Sequence, residues 1–497
     1  MHLRSLAPVA LLSLACCNAS LWAATPPAAA PVAAPAPAEN PAAGALAATY
    51  RDRAGAILGA ALVDQEGWDK LVYLTTKIGH RLSGSPQLEA AISWAAGRMR
   101  EEGLEVTVQP VKVPHWVRGE EHAEIVAPVR RRIAMLGLGS SVGTPPAGIE
   151  APVLGVESFE QLEALGRAEV EGKIVAYCVP WKGYGKTVEY RVFGASRAAK
   201  LGAVAVLVRS ATGSSLSTPH TGNLRYDPEQ PKIPAAAITV ETAEWLKRMK
   251  ALGEQVKVHL VMGAQTLPEA DSANVIAEIP GSEKPEEVVV MGGHYDSWDV
   301  GQGAHDDGAP CMAAWQALRV IQKLGLKPRR TLRVVLWTNE ENGVAGGKAY
   351  RAALGDAAEV VKNHVAAIEM DGGMEQPAAF GLTLNGIEAE SQDPVFLAAL
   401  AKLREIGSFF AAIDAAEVHT DGGGVDIGPL MADGVPGLHL DTVHEHYFDW
   451  HHTEADTLDK VDPQSFRRAV GMLAVMGYVL ADMPDRLVPL PGKAAAP

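Results

Sequence analysis

The chain has 497 residues, 47% of them hydrophobic, with 59 acidic side chains against 44 basic ones and a formal net charge of −15. That length supports a large core and suggests two domains. The acidic balance argues against nucleic acid or an anionic membrane surface as partner, and four cysteines are no disulfide framework.

Residues 1–24 read as a secretory signal: Arg4 gives a short positive start, residues 6–15 an apolar stretch too short to span a bilayer, and small residues around Ala19 to Ala24 a cleavage site. Cys16 and Cys17 raise a lipid anchor, but the residues before them fit a lipoprotein cleavage site poorly, so a secreted or periplasmic protein is expected. Residues 25–48 are mostly Ala and Pro and form a linker. Cys178 and Cys311, which remain, are expected to be unpaired, and no later segment has the apolar run of a membrane helix.

Residues 49–126 read as helix, helix, strand. Ser85 is an N-cap with Pro86 at the first helical position; Leu88, Ala91, Ile92, Ala95 and Met99 follow at helical spacing until Gly103. Residues 127–265 change character, with short apolar strands at 173–176, 203–208 and 235–239 and helices at 191–201 and 242–252. This is a small α/β unit of its own, read as an accessory or lid domain. Residues 266–486 alternate strands (274–279, 287–291, 332–337, 364–368) with helices (310–324, 344–354, and 463–480 at the end), the pattern of a doubly wound, mostly parallel sheet. Residues 487–497 are a tail.

The strand ends carry the chemistry. The run V-V-V-M at 288–291 has the signature of a strand buried on both faces and passes into G-G-H-Y-D-S-W-D-V-G-Q-G-A-H-D-D-G, with His294, Asp296, Asp306 and Asp307, before Pro310 opens a helix. The next strand runs into T-N-E-E-N-G, with Glu340 and Glu341, and the one after into E-M-D-G-G, with Asp371. H-H-T-E-A-D-T adds His451 and His452 before the last helix. Loops at the carboxyl ends of parallel strands are where ligands and catalytic groups collect. Carboxylates at three successive strand ends repel one another unless cations neutralise them, and two metals do so better than one. Imidazole with carboxylate suits zinc.

These motifs, with R-T-L-R-V-V-L-W-T-N-E-E, T-P-H-T-G and P-K-I-P-A-A-A-I-T-V, resemble the di-zinc exopeptidase family that includes the bacterial leucyl aminopeptidases, over almost all of the chain beyond its leader. Within that family the likeness is to its carboxypeptidase and dipeptidase branch. The resemblance implies a doubly wound metallopeptidase domain with an inserted protease-associated domain at 127–265, and two zinc ions per chain. It implies that Asp306 bridges the ions, that His294 and Asp371 complete one shell, and that Glu341 and His452 complete the other. It makes Glu340 the general base toward the attacking water and Asp296 the group that orients His294. Neighbouring glutamates in an extended segment point opposite ways, which fits that division. His451 is a weaker candidate for an oxyanion or substrate contact.

Asp307 is read as structural, and His444 and His446 as surface or rim. His419 and Asp421 precede a glycine-rich turn that could line a cleft, and Asp426 reads as a helix N-cap. No G-x-S-x-G elbow appears, so an acyl-enzyme is not supported. The expected function is hydrolysis of small peptides, either unblocked dipeptides or release of C-terminal residues. The alternatives are an aminopeptidase, an inactive metal-binding ectodomain, and a single-zinc glutaminyl cyclase. The base and all five ligands argue against inactivity, and the acids for a second metal argue against the cyclase. Small peptides are the expected partners, with a homodimer left open.

Overall fold

The computed structural model describes residues 44–387 and 391–490. The signal segment, Cys16 and Cys17, most of the Ala/Pro linker and the end of the tail lie outside the described residues.

Two eight-stranded mixed sheets organise the described chain. The strand Lys284–His294 is central to the first sheet. Its apolar run is continuous because both faces are covered. Val289 and Met291 face a core with Trp315 of helix Ala309–Lys323 and Val475 of helix Pro463–Asp482. Val288 and Val290 face a second core with Tyr350, Val360, Ile427 and Leu430. The strand pairs in parallel with Arg330–Trp337 on one side and His364–Glu369 on the other, and the latter pairs in parallel with Gly437–Thr442. Register places His294 opposite Trp337 and Gly292 opposite Glu369, so these strands end on one rim.

The sheet departs from the expected parallel array at its edges. Strand Gln265–Ile279 is antiparallel to both Arg330–Trp337 and Glu105–Val117, and Pro377–Thr383 is antiparallel to Gly437–Thr442. The first departure follows from the insertion. Val117 lies opposite Gln265, so the chain leaves and returns at the same end of one antiparallel pair. Between those points it builds the second sheet, which starts with Glu121 opposite Met262. That start precedes the boundary at 127 because strand Glu121–Ala127, E-H-A-E-I-V-A, reads in sequence as a continuation of the strand before it. Helices Phe159–Val170, Glu189–Lys200 and Val240–Ala251 pack on the second sheet.

The Ser85 hydroxyl accepts the Leu88 N–H and caps helix Pro86–Glu101, and Gly103 closes it with φ +79°. Cys178 and Cys311 are buried and free.

His364, at the amino end of its strand and far along it from the rim, is buried against the Tyr350 hydroxyl, 3.1 Å from Nε2. Burial, with the Arg333 and Arg486 charges nearby, lowers its pKa to about 4. An unfolded chain binds a proton here near pH 6.5 and the folded one does not, so stability falls as pH drops from about 6.5 to about 4, by roughly 3 kcal/mol in all. In metal-free protein, His364→Gln should therefore flatten this part of the stability–pH profile measured by urea unfolding. An unchanged slope would show that His364 is not its source.

Candidate metal centre

The loop after the central strand is held by groups that do not face the rim. Arg81, fully buried, donates from Nε to the Tyr295 carbonyl at 2.9 Å, from Nη1 to Gln302 at 2.9 Å and from Nη2 to Gly303 at 3.0 Å. Asp456 accepts the N–H groups of Ala304 (3.0 Å), His305 (2.7 Å) and Asp306 (3.2 Å). Gly293 is required by closeness: a Cβ there would lie 2.0 Å from Asp307 Oδ2.

Asp306 is thereby presented between two imidazoles. Its Oδ1 lies 3.1 Å from His294 Nε2, which is also 3.7 Å from Asp371 Oδ1. Its Oδ2 lies 3.2 Å from His452 Nε2, which is 3.1 Å from Glu341 Oε2. His451 Nε2 is 3.7 Å from the same Oδ2, and its ring stacks on His452 with centroids 3.6 Å apart. Two groups of donors thus share one carboxylate, His294, Asp306 and Asp371 on one side and Asp306, His451 and His452 on the other, with donor atoms within 4.8 Å of one another in each.

The donor chemistry fits divalent metal. Asp306 Oδ2 and Glu341 Oε1 are buried without a hydrogen-bond partner. Burial raises the Glu341 pKa to about 7, helped by Asp306. Burial pushes Glu340 well above the ordinary glutamate value, and Asp371, Glu341 and Asp296 add to it. Burial opposes charge on Asp306 and His294 too. Yet the hydrogen bond between them, helped by the charges of His452 beside Asp306 and of Asp371 beside His294, holds the carboxyl well below and the imidazole well above their usual values. Protons on imidazole here neutralise what a cation neutralises better.

Asp296 does something the sequence did not suggest. His294 Nδ1 donates to the main-chain carbonyl of Asp296 at 3.0 Å, while the Asp296 carboxylate accepts the N–H groups of Glu340 (2.9 Å) and Glu341 (3.3 Å). The two glutamates stand on a turn, not in an extended segment, and Asp296 fixes that turn. Asp307 is buried beneath the rim and its pKa is raised by burial, in keeping with a structural role.

Other residues singled out from sequence stay outside the two donor groups. His446 is exposed and pairs with Asp449 at 3.0 Å. His419 and His444 turn to the Asp441 carboxylate, His444 at 3.5 Å, with His439 beside them at 3.5 Å. Asp421 is exposed, next to His419 in chain and space. Asp426 is not the expected N-cap: both its carboxylate oxygens are buried and unpartnered. The N–H groups of Val425, Asp426 and Ile427 donate instead to Glu369, at 3.0, 3.3 and 2.8 Å. A carboxylate distant in sequence does the capping, which local spacing could not reveal. Arg81 and Glu369 carry no spacing signal in the sequence, whereas Asp456 stands inside H-H-T-E-A-D-T.

Residues 274–476 match the family model described as Peptidase family M28. Carboxypeptidase Q of Mus musculus is 43% identical over 444 residues, covering 88% of this chain and 91% of its own. The crystal structure of a peptidase M28 precursor from Shewanella amazonensis superposes with a TM-score of 0.83 at 32% identity, over 90% of this chain and 100% of that one. A zinc aminopeptidase from Bacillus subtilis shares the fold, with a TM-score of 0.63 at 19% identity over 85% of this chain and 97% of its own.

The three N–H groups on Asp456 yield a prediction. Asp456→Ala leaves them buried and unpaired, so metal-free protein should lose about 2–4 kcal/mol of stability in urea unfolding. A loss under about 0.5 kcal/mol, ordinary for a surface change, would mean the loop is held otherwise.

Proposed function

The chain belongs to peptidase family M28, and from that premise we propose that it is a two-zinc exopeptidase acting on small peptides. The observation that carries the proposal is one buried carboxylate, Asp306, shared by two groups of donors. His294 and Asp371 would complete one zinc shell with Asp306, and Glu341 and His452 the other. Zinc, when bound, supplies Lewis acidity toward a peptide carbonyl and the attacking water.

The residues around it have distinct tasks. Asp296 holds the main chain of Glu340 and Glu341, so the turn keeps one side chain toward His452 and leaves the other for the substrate. Glu340 would take the proton of the attacking water and return it to the leaving amine. Burial raises its pKa, which matches a base to neutral pH better than an ordinary glutamate. His451, stacked on His452, would meet the carbonyl oxygen as negative charge develops.

An exopeptidase must close its cleft beyond a substrate terminus. Trp181 and Tyr184 of the inserted unit pack on Phe448, with Tyr184 also edge-on to His451, which walls one side of the centre. We read this unit as a protease-associated domain. With the carboxypeptidase Q relatives, the wall favours unblocked dipeptides or release of C-terminal residues. Removal of N-terminal residues, as in the aminopeptidases of the same fold, is the second reading. The leader residues fit secretion or export to a periplasm, and no helix of the described residues is long and apolar enough to cross a membrane.

Two expectations follow. Active protein should hold two equivalents of zinc by elemental analysis. Glu340→Gln should keep both while losing roughly 10²–10⁴-fold in turnover, whereas Glu341→Ala should lower zinc content itself. One equivalent in active wild type, or zinc loss from Glu340→Gln, contradicts the assignment. As for substrate, N-acetylation and C-amidation of a dipeptide should each lower kcat/KM about ten-fold or more, because each leaves polar groups of the site unpaired. Efficient release of N-terminal residues from amidated tripeptides would favour the second reading instead.

A further inference from the structure

His452 is reached from behind by the inserted unit. With Nε2 turned to Asp306 and Glu341, the ring presents Nδ1 to the main-chain carbonyl of Thr221 at 3.3 Å. Thr221 grips the same residue a second time, its N–H donating to the His452 carbonyl at 3.0 Å. His452 sits in the left-handed region, with φ +62°, where a residue bearing a side chain needs its surroundings to hold it.

Thr221 is itself held by a cation. Arg191, on helix Glu189–Lys200 of the inserted unit, is buried; its Nη1 donates to the Thr221 carbonyl at 3.1 Å and lies 3.3 Å from His452 Nδ1. Its Nη2 donates to the Tyr184 hydroxyl at 2.8 Å. The guanidinium passes over Gly222, where a Cβ would stand 2.3 Å from Arg191 Cζ. The glycine of T-P-H-T-G thus makes room for the arginine, and the threonine carbonyl connects it to the metal rim.

We infer that Arg191 is a positioning residue for the zinc site of Asp306, Glu341 and His452, acting through the Thr221 carbonyl, so that the inserted unit is part of the metal centre and not only a wall beside it. The inference rests on the two-zinc reading above. Groups that orient a ligating imidazole through its second nitrogen set ring angle and tautomer, and their loss weakens metal binding about 10- to 100-fold. The His294 site has its own orienting group, the Asp296 carbonyl, and does not share this chain of contacts. Arg191 should therefore act on one site alone.

The test uses zinc-loaded full-length chain challenged with chelators of graded affinity, zinc retained being read by elemental analysis. Wild type should lose two equivalents in two steps, one absent in Glu341→Ala and the other in Asp371→Asn. In Arg191→Met the step absent from Glu341→Ala should move about 10- to 100-fold toward weaker binding, with the other in place. Tyr184→Phe, which frees the far end of the guanidinium, should move the same step less and serves if Arg191→Met does not fold. Folded Arg191→Met with both steps at their wild-type positions overturns the inference, and so does an equal shift of both, which marks a general structural role. If Arg191→Met does not fold, an unmoved step in Tyr184→Phe overturns it. A single step in wild type, or the same step lost in Glu341→Ala and Asp371→Asn, overturns the two-zinc reading itself.

Discussion

Like charge packed into one rim is the constraint on which the rest depends. Asp296, Asp306, Asp307, Glu341, Glu369, Asp426 and Asp456 are all buried there, with Glu340 and Asp371 beside them. Buried carboxylates are costly singly, and near one another they raise each other's pKa. Burial accordingly pushes Glu341, Glu369 and Asp456 to about 7. A sheet that tolerates this must spend its donors carefully.

It does so in two ways. Three of the acids receive main-chain N–H groups: Asp296 those of Glu340 and Glu341, Asp456 those of residues 304 to 306, and Glu369 those of residues 425 to 427. Each binds a loop from another part of the chain, so these carboxylates act as joints that freeze the rim. Of the others, Asp306 faces three imidazoles, Glu341 faces His452 and Asp371 faces His294, while both oxygens of Asp426 and Oδ1 of Asp307 are buried without a partner. Acids satisfied by N–H groups build the scaffold, while those that meet histidines make up the candidate metal centre. Partner type thus separates the two populations better than burial does.

That separation also explains what could be read from sequence. The strand 288–291 was legible because burial on both faces demands an unbroken apolar run, and His294, Asp306, Glu341 and Asp371 because strand ends of one sheet converge. Edge pairing was not legible, because whether strand Gln265–Ile279 runs parallel depends on where the insertion returns, a matter of register across a sequence separation of 148 (265 minus 117). The role of Asp296 was half legible: its closeness to His294 was right, but which of its atoms does the orienting depends on a turn 44 residues away. Asp426 was misread because a local cap and a distant one look alike in sequence. Arg191 was not legible and Thr221 only as part of T-P-H-T-G, since neither lies near the candidate donors in the chain.

The insertion touches the centre because of how His452 is carried. The strand end at Trp337 bears Glu341 on a turn fixed from inside the sheet, and the strand end at His294 is fixed by its own loop. His452 has no such strand. It lies in an irregular stretch between the short helix Tyr447–Trp450 and helix Pro463–Asp482, in a left-handed conformation. An imidazole without a strand needs its orientation from elsewhere, and the Thr221 carbonyl provides it from the inserted unit. The same contacts bring Tyr184 against Phe448 and His451, so holding His452 and walling the candidate centre are consequences of one packing arrangement. An insertion free to move as a lid would have to break the support of His452 each time it opened. The geometry therefore favours a unit fixed in place.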